Sequence, residues 1–498
     1  MTLLRLNNDV LYLIFSYLSS NEAAMCALAC HLLYDLALPR MISRVGYPSW
    51  RSVVTIRSFC MFASAREYTC TLFLQDLCLA NIGGLFNTMD SIKEILPSII
   101  DLLRSAKNLR CLDFDSLEQL LSLDARIGDA VQALPRLQSL KITLGTHTYS
   151  FMTFFQTPLR SVTLRTIPFF REAPFSIWAL LANFRDSLEE LHLSGGKVND
   201  NEDGMHWPLM QNLTISYAIF MAPVAQSLRL ILSRAFPQLR SLTLSNNKYM
   251  NEIQQREDLI DSATWQSLDF LDISAAALPM LRITCPVRKM VLPSSQALWL
   301  HNAVSCVQAC RTTILRIRLP IDLPPNMVSH LAKACTHLRY LTLEFCGLLP
   351  KEDWARALSA WKSGIPAVLS TLALHALCIL LDLPGRDVPQ DGQDALGFCP
   401  ILAMSITSLR YIAVEPATST LQAPHKWWRI TRYDAQTEPY LEQLTMPMSR
   451  TIEDALEYAD YTSPSWVDDI DHAYRRDKVT TKEIHYSANT ARAVKSSV

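Results

Sequence analysis

The chain has 498 residues, of which 49% are apolar and 19% are charged, and its formal net charge is −1 at pH 7. This balance is typical of a globular protein and excludes a largely disordered chain. Because the sequence carries no strong basic field, it also disfavours binding to nucleic acid or to an anionic membrane. The length suits two or three conventional domains or one long array of repeats.

Residues 1–45 have the pattern of three short amphipathic helices. The polar segment 19–22 separates the first two and supplies capping residues for the second. Pro39 is predicted near the start of the third helix, where a missing amide proton is tolerated. About 40 residues cannot bury all of this apolar surface, so part of it should face a partner or the rest of the chain. The two apolar stripes are Leu6, Val10, Ile14, Phe15 and Leu18, and Met25, Leu28, Ala29, Leu32 and Leu36.

The same segment contains Ile14-Phe15-Ser16-Tyr17-Leu18, with Asp9 before it and Ala27-Leu28-Ala29-Cys30 after it. These residues resemble an F-box, although Asn7 replaces the family's usual proline and His31-Leu32 replaces a basic-aromatic pair. An ordinary helical cap on a larger domain is the alternative. The resemblance covers about a tenth of the chain and implies binding to the Skp adaptor. The adaptor-binding residues that it implies are Leu6, Val10, Ile14, Leu18 and Leu28.

Residues 46–106 contain helical stretches and one repeat-like strand around residues 71–77. We expect a transition region that caps the N-terminal end of a repeat array, because such arrays need a cap at each end.

From residue 107 to residue 460, one pattern recurs: an apolar residue, two of any kind, an apolar residue, one of any kind, and an apolar residue. Thirteen copies occur, spaced on average about 28 residues apart, which is at the upper end of the range for leucine-rich repeats. The alternating apolar positions predict a short strand with one buried face. The central residues of the copies are Leu112, Leu140, Val162, Leu191, Leu213, Leu242, Leu271, Met290, Ile317, Leu341, Leu372, Ile412 and Leu444.

Helical patterns separate the copies, at 176–187, 223–235, 327–335 and 352–363. Segment 338–348 fits the whole pattern of the leucine-rich repeat family, with Cys346 at its asparagine or cysteine position; Asn247 occupies that position in another copy. The resemblance implies an α/β fold, in which the F-box is followed by an irregular leucine-rich-repeat solenoid, a horseshoe of about 13 strand-helix units. A conventional α/β sheet with crossover helices is the alternative.

The combination is similar to F-box/leucine-rich-repeat proteins. It implies a non-catalytic substrate receptor of a Skp-cullin-F-box ubiquitin ligase, located in the cytoplasm, the nucleus or both. The F-box would bind the Skp adaptor, and through it cullin, while the concave face of the repeats would hold an unknown protein substrate. An adaptor-independent interaction scaffold is the alternative. The candidate substrate-binding residues are Asp113, Lys141, Arg165, His192, Tyr340 and Glu344.

No phosphate loop, nucleophile elbow or metal-ligand spacing occurs, so we expect neither cofactor nor metal, and no enzyme. A catalytic triad assembled from distant residues stays open. The 13 cysteines are an odd number without a C-x-x-C pair, which predicts free thiols. Two pairs, Cys26 with Cys30 and Cys306 with Cys310, are four residues apart and are expected to be small buried apolar groups.

The most apolar run, 366–383, includes several polar residues. It is predicted to be a buried strand followed by a helix, not a membrane span. Trp427 and Trp428 are expected in the core. Residues 461–498 lack repeat phrases and are predicted to be a polar, partly disordered tail.

Overall fold

The structure is a computed structural model, and some segments of the chain lie outside what it describes. Among these are the predicted tail, 461–498, and Asn247. The described residues are 6–46, 53–64, 69–79, 89–166, 176–198, 204–220, 228–245, 248–249, 265–274, 277–293, 300–323, 325–347, 351–381, 398–416, 425–433 and 438–458.

The chain divides into two compact units. Unit 1 comprises Met1–Gln226, Leu230–Leu239 and Asn246–Ala263. Unit 2 comprises Ser227–Arg229, Arg240–Ser245 and Thr264–Val498.

Unit 1 begins with three helices, α1 (Asn8–Tyr17), α2 (Ser20–Ala27) and α3 (His31–Ser43). The capping predicted for the second helix is confirmed, because the Glu22 amide donates to Ser19 Oγ (3.2 Å) and the Ser19 amide to Glu22 Oε2 (2.7 Å). Asn7 fills the N-cap of α1, its side chain accepting from the Asp9 amide (3.3 Å). The side chain of Asn7 therefore satisfies one of the free amides at the start of α1.

The limits predicted for the second and third helices were wrong. Helix α2 ends at Ala27, so Leu32 and Leu36 belong to α3. Helix α3 starts at His31 because Cys30 is extended, and Pro39 therefore lies in its interior. A proline at that place removes one helical hydrogen bond.

The remaining helices of the first half alternate with strands. They are α4 (Val53–Ser64), a 3-10 turn (Thr69–Leu72), α5 (Met89–Ser105), α6 (Leu117–Leu123), α7 (Arg126–Gln132), α8 (Thr146–Phe154), α9 (Ile177–Leu181), a 3-10 turn (Ala182–Phe184) and α10 (Leu228–Ala235).

The strands of unit 1 form a parallel sheet in which consecutive repeats are neighbours. Its strands are β1 (Arg44–Val45), β2 (Asp76–Cys78), β3 (Cys111–Phe114), β4 (Ser139–Leu144), β5 (Ser161–Thr166), β6 (Glu190–Ser194) and β8 (Asn212–Ser216). A second, three-stranded parallel sheet contains β7 (Lys197–Val198), β9 (Ile219–Phe220) and β11 (Lys248–Tyr249).

In strands β3, β4 and β6, every second side chain is buried. In β4, Leu140 and Ile142 are buried, and Leu140 is in register with Leu112 on one side and Val162 on the other. The intervening side chains face away from this core, as the period of two requires. The predicted assignment of apolar phrases to the core is therefore confirmed in this unit.

Unit 2 continues the alternation of strand and helix. Its parallel strands are β10 (Ser241–Ser245), β12 (Leu268–Ile273), β13 (Val287–Leu292), β14 (Ile314–Pro320), β15 (Tyr340–Cys346), β16 (Ala376–Leu381) and β17 (Tyr411–Pro416). Two antiparallel strands follow, β18 (Trp428–Thr431) and β19 (Tyr440–Gln443). Its helices are α11 (Leu278–Leu281), α12 (Leu300–Ala309), α13 (Pro325–Ala334), α14 (Lys351–Leu369), α15 (Phe398–Ser405) and α16 (Met446–Tyr458).

Eleven of the thirteen phrases have their central residue on one of the parallel strands, and two do not. Leu372 lies in the turn after α14; the strand instead uses Leu374, Leu377 and Ile379, which have the same spacing and share Leu374 with the predicted phrase. The run 366–383 therefore begins in a helix and continues in a strand, the reverse of the predicted order. Leu444 follows the antiparallel strand β19 and precedes α16.

Several further predictions concern single side chains. Trp427 and Trp428 are buried, which confirms their predicted place in the core. Cys346 donates from Sγ to the carbonyl of Leu319 on the neighbouring strand (3.6 Å), as its asparagine-or-cysteine position in the repeat suggests. All 13 cysteines are free thiols. Among the described residues, no helix combines the length and the apolar character needed to cross a membrane.

Candidate partner-binding surfaces

The three N-terminal helices have a small core of their own. Its members are Leu11, Phe15, Ala23, Ala27, Leu33, Leu36 and Ala37. Arg40 Nε on α3 donates to the carbonyl of Leu18 (2.5 Å), which lies between α1 and α2, and Ser20 Oγ donates to the carbonyl of Arg40 (3.3 Å). These bonds join α3 to the junction between α1 and α2.

The outer surface of these helices carries an unusual amount of exposed apolar area. Val10, Leu13 and Tyr17 are 43%, 57% and 81% exposed, and their spacing places them on one stripe of α1. Seven of the 19 large apolar side chains that are exposed in the described residues lie between positions 10 and 32. Single scattered exposed residues do not explain this concentration. We call these seven the N-terminal apolar surface: Val10, Tyr12, Leu13, Tyr17, Met25, Leu28 and Leu32.

The predicted adaptor-binding residues divide between this surface and the core beneath it. Val10 and Leu28 are exposed, and Ile14 is half-buried beside the α1 stripe. Leu6 and Leu18 pack against the core of the three helices. The predicted adaptor-binding set did not include Leu13, Tyr17 or Met25, although the spacing of positions 10, 13, 14 and 17 matches a second helical stripe.

The three helices are also joined to the next elements of unit 1. Leu38 and Ile42 of α3 pack with Cys70, and the adjoining strand β1 pairs with β2, where Arg44 Nε lies 2.8 Å from Asp76 Oδ2. The predicted boundary at residue 45 is therefore crossed by packing and by a strand pair.

In unit 1, the outward face of the sheet gathers most of the predicted substrate-binding residues. Asp113, Lys141, Thr163 and His192 occupy one row of the parallel register, and Arg165 lies one row further on. Lys141 forms an ion pair with Asp113. The strand register thus places Asp113, Lys141, Arg165 and His192 together on one polar face.

The charges on this face influence one another. Arg165 lies 3.3 Å from Asp115, which follows β3. Partial burial, together with the nearby Arg165 and Lys141, lowers the pKa of His192. The imidazole is therefore neutral at neutral pH and can donate or accept a hydrogen bond. This face therefore offers ion pairs and hydrogen-bonding groups to a partner.

In unit 2, the corresponding face is covered by α16. Tyr340 is only 5% exposed, so its predicted place on an accessible face was wrong. The reason is that the strands β14 to β17 present apolar side chains on this face, which form a second core with α16. The buried members of this core are Ile314, Tyr340, Ala376, Cys378, Leu380, Tyr411, Ala413, Trp427, Leu444, Met448, Ile452 and Leu456.

Glu344, the other candidate of unit 2, is not part of that core. Its carboxylate lies 3.1 Å from the Arg316 guanidinium and 3.5 Å from that of Arg318. With both arginines beside it, this carboxylate is already neutralised, and Glu344 contributes little free charge to a partner.

Ion pairs hold α16 at its margins. Lys289 Nζ lies 2.7 Å from Glu457, and Arg288 donates to the main-chain carbonyl of the same residue. His425 stands between two carboxylates, with Nδ1 3.3 Å from Glu415 and Nε2 3.5 Å from Glu453. The hydrogen bond to Glu415 raises the pKa of His425, and Glu453 adds to this effect.

The part of the chain that the structure describes contains no group of three or more histidine, cysteine, aspartate or glutamate residues able to hold an ion. The sulfurs of Cys306 and Cys310 are 3.7 Å apart, and this contact together with burial raises the pKa of the Cys310 thiol.

No family model matches the chain, and no curated protein matches it. Among solved structures, it is similar to a leucine-rich repeat-containing protein from Legionella pneumophila, with 11% sequence identity over 75% of this chain and 91% of that chain. The TM-score is 0.27, which is too low to establish a shared fold. The repeated strand-helix architecture therefore rests on the strand pairing of the chain itself.

Proposed function

We propose that the chain is the substrate-recognition subunit of a Skp-cullin-F-box ubiquitin ligase. The observation that carries this proposal is the N-terminal apolar surface, which lies on three helices whose sequence resembles an F-box. Exposed apolar patches rimmed by polar residues are typical of protein-protein contacts. In this role, the surface binds the Skp adaptor, and through it cullin.

The repeats then hold a protein substrate, and the open, polar sheet face of unit 1 is the surface we assign to it. Its row of Asp113, Lys141, Thr163 and His192 offers both signs of charge and several hydrogen-bonding groups. The chain performs no chemistry in this proposal. It raises the local concentration of a substrate lysine near the charged conjugating enzyme, which makes a bimolecular transfer effectively unimolecular.

The test is a pulldown of the full chain with the purified Skp adaptor. Leu13→Glu combined with Tyr17→Glu should weaken adaptor binding at least about tenfold, because two carboxylates would be desolvated in an apolar contact. Both residues are exposed, so the variant should fold. The matched control is Val54→Glu with Met61→Glu on α4, two side chains that are 71% and 63% exposed outside the N-terminal helices.

Control binding should equal that of the wild type, with circular dichroism spectra unchanged for both variants. If the wild type does not bind the adaptor, the ligase role fails and the adaptor-independent scaffold becomes the better explanation. Equal losses in the two variants would also contradict the proposal, because the effect would then not be specific to the N-terminal apolar surface.

A further inference from the structure

The strands of unit 2 begin at an edge that carries a row of basic side chains. Arg339, His375 and Arg410 each come directly before a strand, β15, β16 and β17 respectively. The His375 amide donates to the carbonyl of Arg339 (2.8 Å), and the Arg410 amide to that of His375 (2.9 Å). These three residues are therefore in register, one strand apart, at a spacing of about 4.8 Å.

The turns that lead into the strands add more positive charge at this edge. Arg311 precedes β14, while Lys333 lies in the last turn of α13 and His337 in the turn between α13 and β15. We call the following six residues the basic edge: Arg311, Lys333, His337, Arg339, His375 and Arg410.

Acidic side chains in the same repeats lie at the opposite end of the strands. Asp322 follows β14, Asp353 lies in the first turn of α14 after β15, and Glu344 and Glu415 are near the ends of β15 and β17. Within 300–323, 325–347, 351–381 and 398–416, these four are the acidic residues whose side chains the structure describes. Charge is thus separated across these repeats, with the positive side at the strand starts.

Most of the positive charge at this edge is not neutralised. Arg311, Lys333 and Arg410 are exposed, and their side chains form no hydrogen bond or ion pair with the described residues. Burial, with Arg339 and Arg410 beside the ring, lowers the pKa of His375 to about 4. The basic edge therefore contains cationic side chains without a partner among the described residues, together with the imidazole of His375, which is kept neutral by burial and by the nearby arginines.

Helix capping accounts for only part of this charge. Lys333 complements the C-terminal end of the α13 dipole. At the end of α15, however, Arg432 already donates to the carbonyls of Ala403, Ile406 and Leu409, at 2.6, 2.9 and 2.6 Å. Arg410 is therefore not needed as a cap, and its exposed guanidinium is available to a partner.

The neighbouring strand gives an example of what such a row binds. At the start of β13, Arg288 and Lys289 hold Glu457 of the chain's own helix α16, through its main-chain carbonyl and its carboxylate. The strand starts in this unit can thus bind an acidic residue presented by a separate segment. From β14 onward, the cationic groups have no such segment among the described residues.

We propose that the basic edge is a docking site for an acidic segment of a protein partner, with carboxylates spaced to meet Arg311, Lys333 and Arg410. The span from β14 to β17 is about 15 Å, the length of four to five extended residues. Nucleic acid fits less well, since duplex binders neutralise about six to ten phosphates and this edge offers three free cations. The inference goes beyond the proposed ligase function and does not require the adaptor.

The test measures fluorescence anisotropy of a labelled hexaglutamate peptide with the full-length chain, at about 50 mM and about 500 mM salt. The wild type should bind at low salt and lose affinity at high salt, and a hexaglutamine peptide should not bind. Arg311→Glu with Arg410→Glu should weaken binding at least about tenfold. The matched control is Arg110→Glu with Arg136→Glu, two exposed residues that come before β3 and β4 in unit 1. It should leave binding within about twofold of the wild type.

A second readout does not depend on any variant. In wild-type protein at neutral pH, adding the acidic peptide should shift the NMR signals of the His375 ring protons, because carboxylates would then lie beside the ring. The proposal is overturned if the peptide does not bind at low salt, if the Arg311→Glu, Arg410→Glu variant binds as the wild type does, or if His375 is unaffected. Tighter binding of a labelled single-stranded oligonucleotide than of the peptide would overturn it in favour of nucleic acid.

Discussion

The repeat strands of unit 1 and of unit 2 have the same geometry, but their outward face is exposed in unit 1 and covered in unit 2. In unit 1, the row through Lys141, Thr163 and His192 is polar and partly exposed. In unit 2, a row of equivalent geometry through Cys378 and Ala413 is fully buried under α16. Strand geometry therefore does not decide which face is free to bind a partner. The side chains that each strand presents on that face decide it.

The covered face is held mainly by apolar burial. Met448, Ile452 and Leu456 of α16 are each at most 3% exposed. Full burial of such a side chain stabilises by about 1.5–3 kcal/mol. The ion pairs of Glu457 and Glu453 at the edge of α16 contribute less to the free energy of folding, because partly exposed pairs are worth about 0–1 kcal/mol. Their main effect is to orient the helix. On these magnitudes, α16 is a stable part of unit 2, and the open face of unit 1 is the surface that we propose for a substrate.

The largest difference between the two faces is expected when the same substitution is placed on each of them. Ala413 lies in the core under α16, whereas Thr163 lies between Lys141 and His192 on the open face. Ala413→Asp buries an unpaired carboxylate and should lower the free energy of unfolding by about 3–5 kcal/mol. Thr163→Asp should change it by about 0.5 kcal/mol at most. Urea unfolding followed by circular dichroism measures both. Equal effects would mean that both faces are open, or that both are covered.

A smaller effect is expected from truncation inside the covering helix. Ile452 belongs to the core between α16 and the sheet. Ile452→Ala leaves a cavity there and should cost about 2–5 kcal/mol, with faster proteolysis within α16. Arg450→Ala, on the exposed side of the same helix, is the matched control and should behave as the wild type. If Ile452→Ala had no effect on the urea midpoint, α16 would be loosely attached and the covered face would become available to partners.

The sequence predicted the open face well because its strands alternate. Ser139 to Leu144 alternates polar and apolar residues, so both the buried and the outward side of β4 could be assigned from the pattern. The same alternation placed Asp113, Lys141 and His192 on one face, since consecutive parallel strands keep a common register.

The covered face was missed because the signal is of a different kind. Strand β16 reads Ala-Leu-Cys-Ile-Leu-Leu, a continuous apolar run of the sort found in strands buried on both faces. The helix that covers this strand, α16, lies far downstream in the chain, where Met448, Ile452 and Leu456 recur at helical spacing. Periodicity identifies each element, but it does not say that these two meet. The N-terminal apolar surface was only partly identified for a related reason. Val10 and Leu11 are both apolar, and only the packing of the helices shows that Leu11 is buried and Val10 exposed.

The smallest effect concerns pH and the margin of α16, where His425 lies between Glu415 and Glu453. The pKa of His425 is raised in the folded chain, so the folded state binds its proton more tightly than the unfolded state does. The stabilisation is fully present below the unfolded pKa of 6.5 and is lost as pH rises through the higher folded value. Burial also raises the pKa of Glu453. Its contribution to stability therefore also falls as pH rises, beginning above the unfolded value of 4.5.

We therefore expect wild-type stability to fall more steeply, as pH rises from 6.5 through the folded pKa of His425, than that of a His425→Gln variant, which cannot titrate there. Urea midpoints measured across this range for both proteins provide the comparison. The His192→Gln variant on the open face is the matched control with the opposite sign, because burial and Arg165 lower the pKa of His192. In the wild type, His192 makes the folded state more stable as pH rises from the folded pKa of His192 to 6.5. The His192→Gln variant should lack this rise in stability. Parallel pH profiles for the two variants would show that the open and covered faces share one electrostatic environment, and would contradict the difference between them.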